Sequence, residues 1–169
     1  WSLYLQSLEF NALQIGVLMS LSLIVRIFSP SIWGWLADHT GKRIRVVQIA
    51  ALCGFLCFCG FLLGESFIWM FFVMLPLCFF WSASLPLIEA LTLSHLGDHT
   101  DKYGRIRSWG SVGFVLTVIG VGYLLENIAI AWLIWIVLGL KLGMVIFSYQ
   151  IPEKEMISHV TGHHSVKQI

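Results

Sequence analysis

Glu89 and Arg107 stand eighteen residues apart, each inside or at the edge of a long apolar stretch, and Arg26 and Lys141 lie in two further stretches of the same kind. An ionised side chain at the centre of a membrane helix costs about 2.5–3.5 kcal/mol on insertion scales, so such residues face a bundle interior or an aqueous cavity and mark functional sites. A carboxylate accepts hydrogen bonds and a guanidinium donates them in a planar fork. Together they suit non-covalent capture of a small polar solute. Catalysis needs a nucleophile with a base, or a metal, and no intramembrane histidine accompanies the serines, since His95 and His99 fall in a polar link. Cys53 and Cys57 share a helix face, but no histidine or carboxylate in that segment completes a ligand set. No enzyme activity, metal or cofactor is expected.

A second cluster is the string Gly34-Trp35-Leu36-Ala37-Asp38-His39-Thr40-Gly41-Lys42-Arg43, which sets an acid four residues after one glycine and a basic pair after another. A link that had only to be polar and to turn would not need both glycines and Asp38 in this register.

The elements that position these residues follow from apolar run length. Charged residues make up 11% of the 169 residues, against about 25% in an average soluble domain, so the chain belongs in lipid. Five runs are long enough to span a bilayer, at about 13–36, 46–64, 67–93, 107–125 and 128–149, after a helix stub at 1–7. The links alternate in charge. The link 37–45 carries Lys42, Arg43 and Arg45, the link 94–107 carries Lys102, Arg105 and Arg107, and the tail carries Lys154 and Lys167, whereas the opposite links carry Glu9, Glu65 and Glu126 and no base. Retention of positive charge on the inner side makes the basic links cytoplasmic, with Trp33, Trp35 and Trp109 near the inner interface and Trp69, Trp132 and Trp135 near the outer one. Net charge is only +1, which argues against a nucleic-acid partner.

Glu89 is predicted about five residues, roughly 8 Å, from the inner end of its helix, and Arg107 about four residues, roughly 6 Å, past the Tyr103-Gly104 turn. An antiparallel hairpin sets them level. Ser82 and Thr92 then project beside Glu89, and Ser111, Phe114 and Thr117 follow Arg107 at helical spacing. A structural ion pair that locks the two helices is the competing reading. Lys141 is predicted to snorkel toward headgroups. Small residues at Gly16-x-x-x-Ser20, Gly110-x-x-Gly113 and Gly139-x-x-x-Gly143 are predicted helix contacts.

The Gly34–Arg43 string resembles the link between helices 2 and 3 of the major facilitator superfamily, Gly-x-x-x-Asp-Arg/Lys-x-Gly-Arg-Arg/Lys, departing at His39 and mildly at Lys42. Leu85-Pro86-Leu87-Ile88-Glu89-Ala90 and Tyr103-Gly104-Arg105-Ile106-Arg107-Ser108-Trp109-Gly110-Ser111-Val112-Gly113-Phe114 resemble helices 4 and 5 of the lactose permease group and, more closely, of the phenylpropionate-type permeases. The resemblance implies that Glu89 and Arg107 hold substrate, with Ser111 and Phe114 beside them. Phe114 stands where the lactose permease group has a tryptophan and Leu85 where it has an alanine, which implies a narrower, less polar site. Val25-Arg26 matches the phenylpropionate-type group, and Arg26 could line the cavity, pair with a carboxylate beyond this sequence, or pair with Glu89. Gly34, Asp38, Gly41, Lys42 and Arg43 inherit a role in conformational switching.

By that resemblance the fold is all-α, the N-terminal six-helix bundle of such a transporter with helix 1 mostly missing. Residues 1–151 form the transmembrane half and 152–169 begin a cytoplasmic linker. The function implied is secondary active transport of a small organic solute, an aromatic or organic acid or a sugar-like molecule, by alternating access and proton-coupled symport. Its partners would be the solute, H+, the lipid bilayer and a C-terminal six-helix half, and its place the bacterial inner membrane. The alternative is a small membrane scaffold or membrane-embedded enzyme complete in itself.

Overall fold

The computed structural model describes residues 1–97 and 99–151, so the expected linker at 152–169 lies outside the described residues. Six α-helices follow in order: α1 Ser2–Ser7, α2 Ala12–Thr40, α3 Arg43–Cys59, α4 Phe67–Leu96, α5 Tyr103–Asn127 and α6 Trp132–Ser148, with 3-10 turns at Gly60–Leu62 and Thr100–Lys102. α2, α3 with its following turn, α4 and α5 are long and apolar enough to cross a membrane, and α6 is a shorter apolar helix. Helix is what lipid demands, because only a backbone that satisfies its own polar groups survives there.

Helix ends differ from the apolar runs, most at the basic links. Of the expected link 37–45, residues 37–40 continue α2 and 43–45 begin α3. At the helical rise, 29 residues of α2 extend about 44 Å, beyond a hydrocarbon core of about 30 Å, so the helix runs on into the polar layer. Gly41 stops it, at φ 65°, with its N–H on the Ala37 carbonyl. That left-handed conformation is inexpensive only for glycine. Gly97 ends α4 at φ 53°. At the other face Asn11 and Gln14 form a reciprocal capping box that starts α2, and the Ser66 hydroxyl caps α4 by accepting from the Trp69 N–H.

α4 is the shared wall of the bundle. It packs on α2 and on α3, α6 packs on α3, and α5 rests lightly against α4 with no buried residue of its own. Between α2 and α4 lies a polar knot. The Phe79 carbonyl accepts from the Ser29 hydroxyl at 3.1 Å and the Trp33 indole N–H at 2.9 Å, and the single proton of the Ser82 hydroxyl is shared between that carbonyl, 2.8 Å away, and the Ser29 oxygen. The Trp33 ring sits 5.0 Å from Phe79 and 5.7 Å from Phe80. Trp33 is thus not the interfacial residue its position suggested but a core residue, 5% exposed, because its indole N–H finds a carbonyl partner inside the bundle.

The small-residue stripes also behave otherwise than expected. A Cβ on Gly16, Gly110, Gly113, Gly139 or Gly143 would meet nothing within 4 Å among the described residues, whereas one on Gly60 would lie 3.0 Å from Val73 and one on Gly64 3.0 Å from Trp69. Close approach occurs at the turn between α3 and α4, where the chain doubles back over a few residues.

Interhelical hydrogen bonds in membranes average about 0.6 kcal/mol and reach about 1.7. Trp33→Phe keeps the ring and removes the donor, so it should cost about that much, whereas Trp33→Ala also leaves a cavity and should cost about 3–5 kcal/mol. Unfolding of the purified protein in mixed micelles measures both, and equal losses would show that the ring alone matters.

Candidate functional site

The C-terminal half of α4 and the N-terminal half of α5 line a cleft of about 460 Å³. Glu89 lies seven residues before the end of α4 and Arg107 four after the start of α5, about 10 and about 6 Å in at the helical rise. They meet: Arg107 Nη1 and Glu89 Oε1 form an ion pair. The same Nη1 donates to the Tyr103 hydroxyl at 3.0 Å, one turn back along α5. Glu89 is 32% and Arg107 56% exposed at the side chain, so the pair is open to the cleft.

The walls include Leu85, Thr92, Ser111 and Phe114, with Gly110 giving the backbone of α5 no side chain at mid-cleft. Phe114 presents most of its ring to the open space, at 70% exposure. The Thr92 hydroxyl donates to the Ile88 carbonyl at 2.8 Å, which leaves its oxygen free to accept. The arrangement offers one anionic acceptor, one cationic donor, hydroxyls and an aromatic face, with no net charge. Such a set suits a solute that both donates and accepts.

Of the expected site residues, the structure brings together Glu89, Arg107, Thr92, Ser111 and Phe114. Three others fall elsewhere. Ser82 turns to α2 and is used in the Phe79 knot. Thr117 lies beyond the cleft and bonds back to the Gly113 carbonyl. Arg26 sits on an exposed face of α2, outside the cleft lining, and is not the partner of Glu89. Tyr103 is the residue that sequence reasoning missed. It stands four before Arg107, the spacing at which helical side chains touch.

In the basic turn, Arg43 Nη2 lies 2.7 Å from Asp38 Oδ1, which joins the end of α2 to the start of α3. The Asp38 side chain is 66% exposed, so the pair contributes only about 0.2–1 kcal/mol. His39 stacks on Trp35, ring centroids 5.2 Å apart. Gly34 has open space where a Cβ would stand, and Lys42 precedes the first turn of α3. Lys141 does not snorkel. Its ammonium turns toward α4, 4.1 Å from the centroid of the Trp81 ring.

Residues 1–168 match the MFS_1 like family. The maltose permease of Geobacillus stearothermophilus is 34% identical over 131 residues, which are 77% of this chain and 33% of that protein. "Uncharacterized transporter YwbF" of Bacillus subtilis (strain 168) is 31% identical over 124 residues, 72% of this chain and 31% of that one. "Probable 3-phenylpropionic acid transporter" of Escherichia coli (strain K12) is 28% identical over 116 residues, 69% and 31% of the two chains. The chain therefore spans about a third of the length of these relatives. In fold it superposes on the nucleoside transporter NupG with a TM-score of 0.81 at 23% identity, over 91% of this chain and 39% of that one. With its apolar helices in the order and packing described, the chain belongs to the MFS_1 like family, within the major facilitator superfamily.

Proposed function

We propose that residues 1–151 are the N-terminal half of a secondary transporter of small organic solutes, and that the solute binds in the cleft between α4 and α5. The observation that carries this reading is the Glu89–Arg107 ion pair, held at one depth and open to a cleft that also presents Thr92, Ser111, Tyr103 and Phe114. The relatives named for maltose and for 3-phenylpropionic acid support a small-solute substrate. The balanced charge of the cleft favours a hydroxyl-bearing neutral solute, with Phe114 under its apolar face.

On this reading a second six-helix half closes over the exposed side of α5, access alternates as the halves rock, and 152–169 leads toward that half. The resemblance to symporters supports proton coupling. The basic links 37–45 and 94–107 would face the cytoplasm of a bacterial cell, supported by the base-free links opposite.

Because both partners of the Glu89–Arg107 pair are open to the cleft, its loss should cost nearer the about 1 kcal/mol of a solvated pair than the about 3–5 of a buried one. Glu89→Leu with Arg107→Leu in the intact carrier should therefore insert and fold, yet lose uptake of maltose or 3-phenylpropionate, whichever the wild type carries, by at least about a hundredfold, the loss of two charge-assisted bonds at about 1.5 kcal/mol each. Substantial uptake by a well-expressed double variant would return the pair to a structural role. Asp38→Asn should slow turnover several-fold and leave substrate affinity unchanged, since an exposed pair this weak is suited to breaking and re-forming during rocking. Counterflow rates against binding affinity separate the two, and an unchanged rate would reduce the turn to a solvated link.

A further inference from the structure

Arg107 is held at two points through one nitrogen. Its Nη1 forms the ion pair with Glu89 of α4 and also donates to the Tyr103 hydroxyl of its own helix, at 3.0 Å. A guanidinium has no acceptor, so this bond can run only from Arg107 to the tyrosine oxygen. Side chains on a helix lean toward its N-terminus, which carries the stem of Arg107 back over the residue four before it. Tyr103 stands there, at the first turn of α5.

The ion pair by itself would leave the guanidinium loose. The Arg107 side chain is 56% exposed, an open pair of this kind is weak, and holding an arginine in one rotamer costs side-chain entropy. The fork is also planar, and a single bond to Glu89 lets that plane turn about the bond. A second acceptor on the same nitrogen stops the turn, because both N–H groups of Nη1 lie in the guanidinium plane and each then has a fixed partner. Tyr103 is suited to the task. It is half-buried between the exposed Lys102 and Gly104, and its ring turns on only two torsions. Nη2 and Nε are left for the cleft, in a set direction.

We propose that Tyr103 is a positioning residue for solute binding: by accepting from Arg107 Nη1 it fixes the plane of the guanidinium, and solute affinity depends on that plane. This rests on the reading that solute binds between α4 and α5. Loss of the tyrosine oxygen weakens binding while Arg107 and its charge stay in place.

Tyr103→Phe removes the oxygen and keeps the ring. In the purified intact carrier without solute, phenylglyoxal should modify Arg107 at least about threefold faster in Tyr103→Phe than in the wild type, because a donated hydrogen bond stabilises the protonated, unreactive guanidinium. Arg105, read by mass spectrometry in the same experiment, should keep its rate. For uptake of maltose or 3-phenylpropionate, whichever the wild type carries, KM should rise about tenfold, the worth of one charge-assisted bond, and the maximal rate should fall by less than that. A residue that only stabilised α5 would lower the amount of folded carrier and leave KM alone. An unchanged Arg107 rate would overturn the proposal whatever the uptake, since Tyr103 would then act on solute directly or on α5 alone. Faster modification with an unchanged KM would overturn it too, and the Glu89→Leu, Arg107→Leu carrier tells which step failed. Transport by that carrier would place the solute outside the cleft, and its loss would show that Arg107 binds solute without needing Tyr103.

Discussion

The Phe79 carbonyl is the point on which the bundle turns. In lipid, apolar side chains gain little from one another over lipid tails, so helices associate through packing and through hydrogen bonds made across the interface. Here one carbonyl of α4 takes two side-chain donors from α2 and a share of the Ser82 proton, and the Trp33 ring closes over it against Phe79 and Phe80. That knot fixes the rotation of α4 about its own axis. Once α4 is fixed, Glu89 has to face α5 and Trp81 has to face α6, so the candidate binding cleft inherits its geometry from a contact outside it.

The two flanks of α4 divide by charge balance. On the α5 side, carboxylate and guanidinium cancel and leave directional donors and acceptors, which select shape and hydroxyl pattern more than charge. On the α6 side one ammonium stands 4.1 Å from the centroid of the Trp81 indole.

Much of this was legible in the residues. Run length located every helix, since lipid sets a minimum that few soluble segments reach, and helical spacing from Glu89 and Arg107 found Thr92, Ser111 and Phe114. The helix ends were not legible from hydropathy, because α2 and α4 run on through the polar layer until Gly41 and Gly97 adopt a left-handed turn. Ser82 misled because it lies seven residues from Glu89, nearly the same direction on a helical wheel. The same stripe of α4 meets α2 at the level of Ser82 and α5 at the level of Glu89, with Pro86 between them. Lys141 was misread for a related reason. Its charge suggested the headgroups, and only the position of Gly54 and Trp81 on other helices shows the space it occupies.

The central claim is that solute sits between α4 and α5, and ligand protection at Ser111 tests it most directly. In the intact carrier with Cys53, Cys57, Cys59 and Cys78 replaced by alanine, Ser111→Cys places the sole described thiol on the cleft wall. Its alkylation by N-ethylmaleimide is expected to slow several-fold when the transported solute is present at saturation, and to be indifferent to that solute once Glu89 and Arg107 are both leucine. Alkylation at Ser111→Cys unaffected by saturating solute, in a carrier that still transports, would contradict the assignment.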